Sequence, residues 1–139
     1  MAAATPPTIA GSHLRPGELA LFWRFFALSP IAGADYSFDF RLGQGTPIDP
    51  SWPPAIAAMA RALTQRRVDV LARAPGAIWI LEIKVRAGPS AVGQLLLYRE
   101  LYTIEHGSNP LPRLGIIADR NSYDMLALYS TFTIELFLV

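Results

Sequence analysis

Residues 66–85 read Arg66-Arg67-Val68-Asp69-Val70-Leu71-Ala72-Arg73-Ala74-Pro75-Gly76-Ala77-Ile78-Trp79-Ile80-Leu81-Glu82-Ile83-Lys84-Val85. Two apolar, partly β-branched runs, Arg67 to Ala72 and Ala77 to Val85, flank a Pro-Gly turn signal, so the stretch predicts a β-hairpin. If Ala74 faces Ala77 across the turn, paired residue numbers keep a constant sum, and Asp69 falls opposite Glu82. Directly opposed residues carry Cβ atoms about 5 Å apart, close enough for two carboxylates to share one cation. Without a cation the same opposition is repulsive. Period-two alternation puts Glu82 and Lys84 on one face with Ile80, and Trp79, Leu81, Ile83 and Val85 on the other. On the first strand it groups Arg67, Asp69 and Leu71 against Val68 and Val70. Lys84 is the only lysine in the chain, every other fixed positive charge being arginine. A compact, titratable ammonium beside a carboxylate is a function that arginine does not replace.

Outward from the hairpin, Glu18 to Leu28 carries Leu19, Phe22, Trp23 and Phe26 at helical spacing after Pro16-Gly17, which predicts a first helix. Tyr36 to Leu42 alternates, with Tyr36, Phe38 and Phe40 on one face and Ser37, Asp39 and Arg41 on the other, which predicts a strand. Gly43 to Pro54 holds two glycines and four prolines and reads as a loop, and Ala55 to Gln65 as a short alanine-rich helix. Gly88-Pro89-Ser90 opens a long helix that runs to His106 and stops at Gly107. Pro112 to Ala118 reads as a strand, Ser122 to Tyr129 as a short helix, and Thr131 to Val139 as a final strand or interface segment. On the long helix Gln94 and Tyr98 stand four apart and share a face, so an amide and a phenol can contact a substrate or the acids.

The 139 residues suit one domain, read as 14–139 behind a flexible N-terminal tail over 1–13. The hydrophobic fraction of 52% and mean hydropathy of +0.29 leave apolar side chains for the surface, which predicts a homo-oligomer or a place in a larger protein assembly. Charged residues interrupt every apolar run short of the roughly 20 residues a membrane helix needs, so no membrane partner is expected. No secretory signal is legible at the start, and the chain has no cysteine, which suits a cytoplasmic protein, or a virion-associated one if it comes from a phage. Two separated histidines, His13 and His106, argue against a zinc site. The net charge of +1 is a weak nucleic-acid signal, but Arg61, Arg66 and Arg67 precede Asp69 while Lys84 and Arg86 follow Glu82, a local gathering compatible with phosphate contacts.

These residues resemble the PD-(D/E)xK nuclease superfamily, in particular its RecB-like branch. The resemblance rests on Asp69, on Glu82-Ile83-Lys84 in the next strand, and on Gln94-Leu95-Leu96-Leu97-Tyr98, which is similar to that branch's helical Q-x-x-x-Y motif. It spans about Arg66 to Leu101, and Val68 stands where the superfamily is named for a proline. The resemblance implies an α/β fold with a restriction-endonuclease-like core, a central mixed sheet flanked by helices in the order α-β-β-β-α-β, with Ala55 to Gln65 inserted. It also implies a Mg²⁺-dependent nuclease (Mn²⁺ being the alternative ion) that hydrolyses DNA phosphodiester bonds, alone or as a subunit of a repair, restriction or phage complex. Asp69, Glu82 and the backbone carbonyl of Ile83 would hold the metal, and Lys84 would assist the attacking water. Glu18 would stand in for the superfamily's helical acid, with Gln94, Tyr98, Arg67 and Arg86 supporting the site or the substrate. The competing reading is a non-catalytic nuclease-fold structural or interaction protein, such as a phage assembly component. A third, blander reading leaves Glu82 and Lys84 as solvated positions on an exposed sheet face.

Overall fold

The computed structural model describes residues 12–139; the greater part of the expected tail lies outside them. Helix α1 (Pro16–Leu28) begins with proline in its first turn, where the missing N–H costs nothing, and ends on Ser29 in the left-handed conformation. Strand β1 (Asp35–Leu42) follows, then helix α2 (Pro54–Thr64), strands β2 (Arg66–Ala74) and β3 (Ala77–Ala87), and helix α3 (Pro89–His106). Strand β4 (Arg113–Asn121), a single 3-10 turn at Tyr123–Met125, helix α4 (Leu126–Phe132) and strand β5 (Ile134–Leu138) complete the chain. Gly107 stops α3 at φ 86°, as expected for the residue past a helix end. No helix among the described residues is long and apolar enough to cross a membrane.

The five strands form one sheet in sequential order. β1, β2 and β3 run antiparallel, and β3, β4 and β5 run parallel, so β3 is the seam of a mixed sheet. The expected hairpin register is observed, with Ala74 opposite Ala77 and Val70 opposite Leu81. Gly76 takes φ 71°, the positive value that a type II turn demands of its third residue. α1 covers one face, burying Leu21, Phe22 and Phe25 against Val70, Ala72, Leu81 and Ile83. α3 and α4 cover the other, where Leu95, Tyr98, Met125 and Tyr129 meet Leu71, Ile80 and Ile116. The alternation of β3 is as read from the sequence, with Ile80 toward α3 and Trp79, Leu81 and Ile83 toward α1.

The alternation of β1 and β2 is not. Tyr36 and Phe38 face α1, but Phe40 joins the α3 side; on β2, Val70 faces α1 while Val68 joins the α3 side. Both strands change face at the same level. Asp39 adopts φ 54°, a left-handed conformation that breaks the pleat, and Asp39 and Asp69 are opposed in the register yet are the one pair absent from an otherwise continuous ladder. The shared Asp69/Leu71 face and the single Tyr36/Phe38/Phe40 face are therefore not kept: β1 breaks at the positive φ of Asp39, and β2 changes face opposite it, where the Asp39–Asp69 pair is missing from the ladder.

Phe22 is fully buried and meets Phe25, Phe26, Tyr36 and Phe38 ring to ring, the last at 4.8 Å and nearly edge-on. Phe22→Ala is expected to lower unfolding free energy by about 3–5 kcal/mol in urea denaturation, the cost of an unfilled aromatic cavity.

Candidate active site

The face switch at Asp69 lies at the end of the hairpin remote from its turn. There the Asp69 carboxylate takes over a ladder position, its Oδ2 accepting the Ile83 N–H at 2.9 Å. Glu82, next in register after Leu81, reaches the same place from β3. Both carboxylates are buried, Asp69 at 5% exposure and Glu82 at 3%, and no other polar or charged residue is buried so deeply among the described residues. They are the feature that hydrophobic folding alone does not explain.

Burial raises the Glu82 carboxyl well above the ordinary carboxylate range. A hydrogen bond to Asp69 and the Asp69 charge push it further the same way, Lys84 pulls it down, and Glu18 adds a smaller upward push. Two like charges do not easily both ionise in a buried site, and Glu82 is the acid pushed toward its protonated form. Glu82 Oε2 is buried without a hydrogen-bond partner, and so is Oε1 of Gln94 on α3. Tyr98, one turn on, is nearly buried, and its phenol is pushed up to about 12 by burial and by the Glu82 charge, while a hydrogen bond from the Gln94 side chain works against this. It is held as a neutral donor. Lys84, Gln94 and Glu18 line one cleft with the two acids, of about 660 Å³, bounded by the start of α1. Glu18 also accepts the Arg15 N–H at 3.1 Å, which anchors the first turn of α1 beside the cleft.

Two expected site residues are elsewhere. Arg86 lines a separate cavity with Asp119 and Leu136, beyond the level of the acids, and Arg67 does not line the cleft. Between Lys84 and Arg86 the β3–β4 ladder lacks the Val85–Asp119 pair, so regular pairing is interrupted there.

Two others were not foreseen. His13, read from sequence as tail, sets Nε2 2.8 Å from Asp69 Oδ1 and Nδ1 against Asp39 Oδ1, while its backbone N–H donates to Asp39 Oδ2 at 3.1 Å. The imidazole bridges the two aspartates, supplying a donor where the face switch brings them together. Asp39 was legible only as a polar position on β1, since the long connection through α2 leaves the β1–β2 register undetermined by turn geometry.

Among the described residues no group of three or more histidine, cysteine, aspartate or glutamate side chains forms a ready metal cage. The hard-oxygen donor set is the Asp69–Glu82 pair, with its unpartnered buried Oε2, and such a set fits a divalent cation such as Mg²⁺.

No protein-family model matches the chain, and no curated protein sequence matches it. Solved structures do. Over 97% of this chain and 47% of the other, it is similar to the EndoMS–double-stranded DNA complex structure, with TM-score 0.54 and 22% identity. It is similar to a repair endonuclease from Pyrococcus abyssi over 91% of this chain and 47% of that one, with TM-score 0.52 and 19% identity. The chain shares the fold of repair endonucleases. It spans about half the length of these neighbours, and at such identity the likeness concerns the fold alone.

The sign of the pH dependence follows from Glu82. Its folded-state pKa, pushed up to about 10, lies above the unfolded 4.5, so stability from this group is fully present below about pH 4.5, declines as pH rises and is lost by about pH 10. Glu82→Gln keeps a donor toward Asp69 without the charge. In chelator at neutral pH it is expected to unfold at higher urea, by roughly 1–3 kcal/mol, and to flatten the decline.

Proposed function

We propose that the protein is a Mg²⁺-dependent nuclease that hydrolyses phosphodiester bonds in DNA, with Asp69, Glu82 and Lys84 as its catalytic residues. The observation that carries this is the buried Asp69–Glu82 carboxylate pair, one Glu82 oxygen of it unpartnered, facing an open cleft that the sole lysine also lines. The fold shared with repair endonucleases supports the same reading. Asp69 and Glu82, with the Ile83 carbonyl, would hold the cation, which when bound supplies charge neutralisation at the scissile phosphate. Lys84 places an ammonium next to the acids, where it stabilises charge developing on the phosphate oxygens and orients the attacking water. The Gln94 carbonyl oxygen, unpartnered in the cleft wall, accepts a hydrogen bond from that water or from the substrate, and Tyr98 fixes the amide.

The test is cleavage of plasmid and linear DNA with Mg²⁺ or Mn²⁺. Lys84→Ala and Asp69→Asn are each expected to lower the rate by about 100-fold or more, as loss of one electrostatic stabiliser does. Cleavage surviving both substitutions would overturn the assignment.

A non-catalytic nuclease-fold interaction protein is the second reading. It is favoured by Ile56, Met59 and Leu63, an exposed apolar stripe along α2. Stabilisation by Mg²⁺ without cleavage of any DNA form would establish it in place of the first.

A further inference from the structure

α2 contributes no buried side chain, yet it is tied firmly to the end of the sheet that carries the acids. The Arg41 guanidinium donates to the Ala62 carbonyl, the Thr46 N–H donates to Thr64 Oγ1 at 2.9 Å, and Gln65 Nε2 donates to the Gly43 carbonyl at 2.8 Å. What these ties gather is charge. Arg41 is paired with Arg67 across β1 and β2, Arg66 follows at the next position opposite Leu42, and Arg61 lies on the last turn of α2. All four arginines are exposed, and among the described residues none is in an ion pair with a carboxylate. Like charges directly opposed across a ladder destabilise a sheet. In a chain of net charge +1, four guanidinium groups without a carboxylate partner at one corner are a local excess of charge, and of the four only Arg41 has a structural use, in its tie to α2.

The corner adjoins the cleft. Arg67 precedes Asp69 by two residues, and Arg66 lines a second cavity of about 290 Å³ with Gly43, Thr64, Leu97 and Leu101, the two leucines flanking Tyr98 on α3. The Arg66 charge reaches the Tyr98 hydroxyl.

We infer that Arg41, Arg61, Arg66 and Arg67 form a backbone-phosphate platform that holds duplex DNA to one side of the scissile bond. This rests on the nuclease reading and adds where the flanking duplex lies. Guanidinium groups suit phosphate geometry, and contacts of this kind position a substrate without reading its sequence. The platform therefore sets affinity, not base preference, while the acids and Lys84 perform the chemistry.

The test uses the full chain carrying Asp69→Asn, so that DNA survives, and measures fluorescence anisotropy with a labelled random-sequence duplex across a salt series. Arg41→Ala/Arg67→Ala and Arg61→Ala/Arg66→Ala are each expected to weaken low-salt binding by about tenfold or more. Each is also expected to reduce the slope of log K against log salt by about 2, one unit per lost contact. Arg41→Lys/Arg67→Lys retains the charge and should keep the parent slope, which separates loss of contact from loss of fold. Arg73→Ala/Arg113→Ala, at the turn end of the hairpin and opposite Ile78 and Trp79 of β3, should leave the slope unchanged. Parent-like slopes in both alanine pairs, or absence of binding by the parent, would overturn the platform. Metal-dependent cleavage by the protein with Asp69 intact is scored separately, so the platform can fail while the nuclease reading stands.

Discussion

Two carboxylates buried side by side are the constraint around which the rest of this structure is arranged. Removing one charge from water is costly, and placing a second beside it adds repulsion, so the fold must supply compensation from several directions at once. The Ile83 N–H takes one oxygen of Asp69, the His13 imidazole takes the other, and Lys84 offsets Glu82. One Glu82 oxygen is left with no partner. A core optimised for stability alone would hold apolar residues here, as it does one step along at Val70 and Leu81. The retained penalty is the feature on which the proposed chemistry rests.

The mixed sheet locates that cleft. β3 is the seam between antiparallel and parallel halves, and Glu82 at its middle and Lys84 beyond it stand beside Ile116 and Ala118 of β4 and line the cleft. Asp69 arrives from the start of an antiparallel β2. A hairpin can bring two acids to the same level in this way with only a two-residue turn between the strands. α1 then closes one side through Phe22 and Phe25, and α3 the other through Leu95 and Tyr98.

How much of this was legible in the sequence depended on distance along the chain. The hairpin register could be read because Pro75-Gly76 fixes the pairing by geometry, although the ladder ends at Val70–Leu81, one step short of Asp69 and Glu82, and Lys84 stood out by being alone. The extent of α3 was legible because Pro89 and Gly107 mark both ends of an apolar run. The β1 alternation failed at Asp39, whose left-handed backbone no periodicity announces, since aspartate is only moderately tolerant of that conformation. His13 escaped for a related reason: its partners, Asp39 and Asp69, are distant in sequence and meet only through tertiary structure. Arg86, two residues beyond Lys84, lines another cavity, past a gap in the β3–β4 ladder at Val85 that the sequence does not announce.

α2 sits between β1 and β2 without giving a single side chain to either apolar layer. Its attachment is by hydrogen bonds at its last turn and at the loop before it, so the domain's folding energy is nearly indifferent to what the helix displays. Such an outrigger can be recut along its exposed face, at Ile56, Met59 or Leu63, without touching either apolar layer of the sheet that supports it.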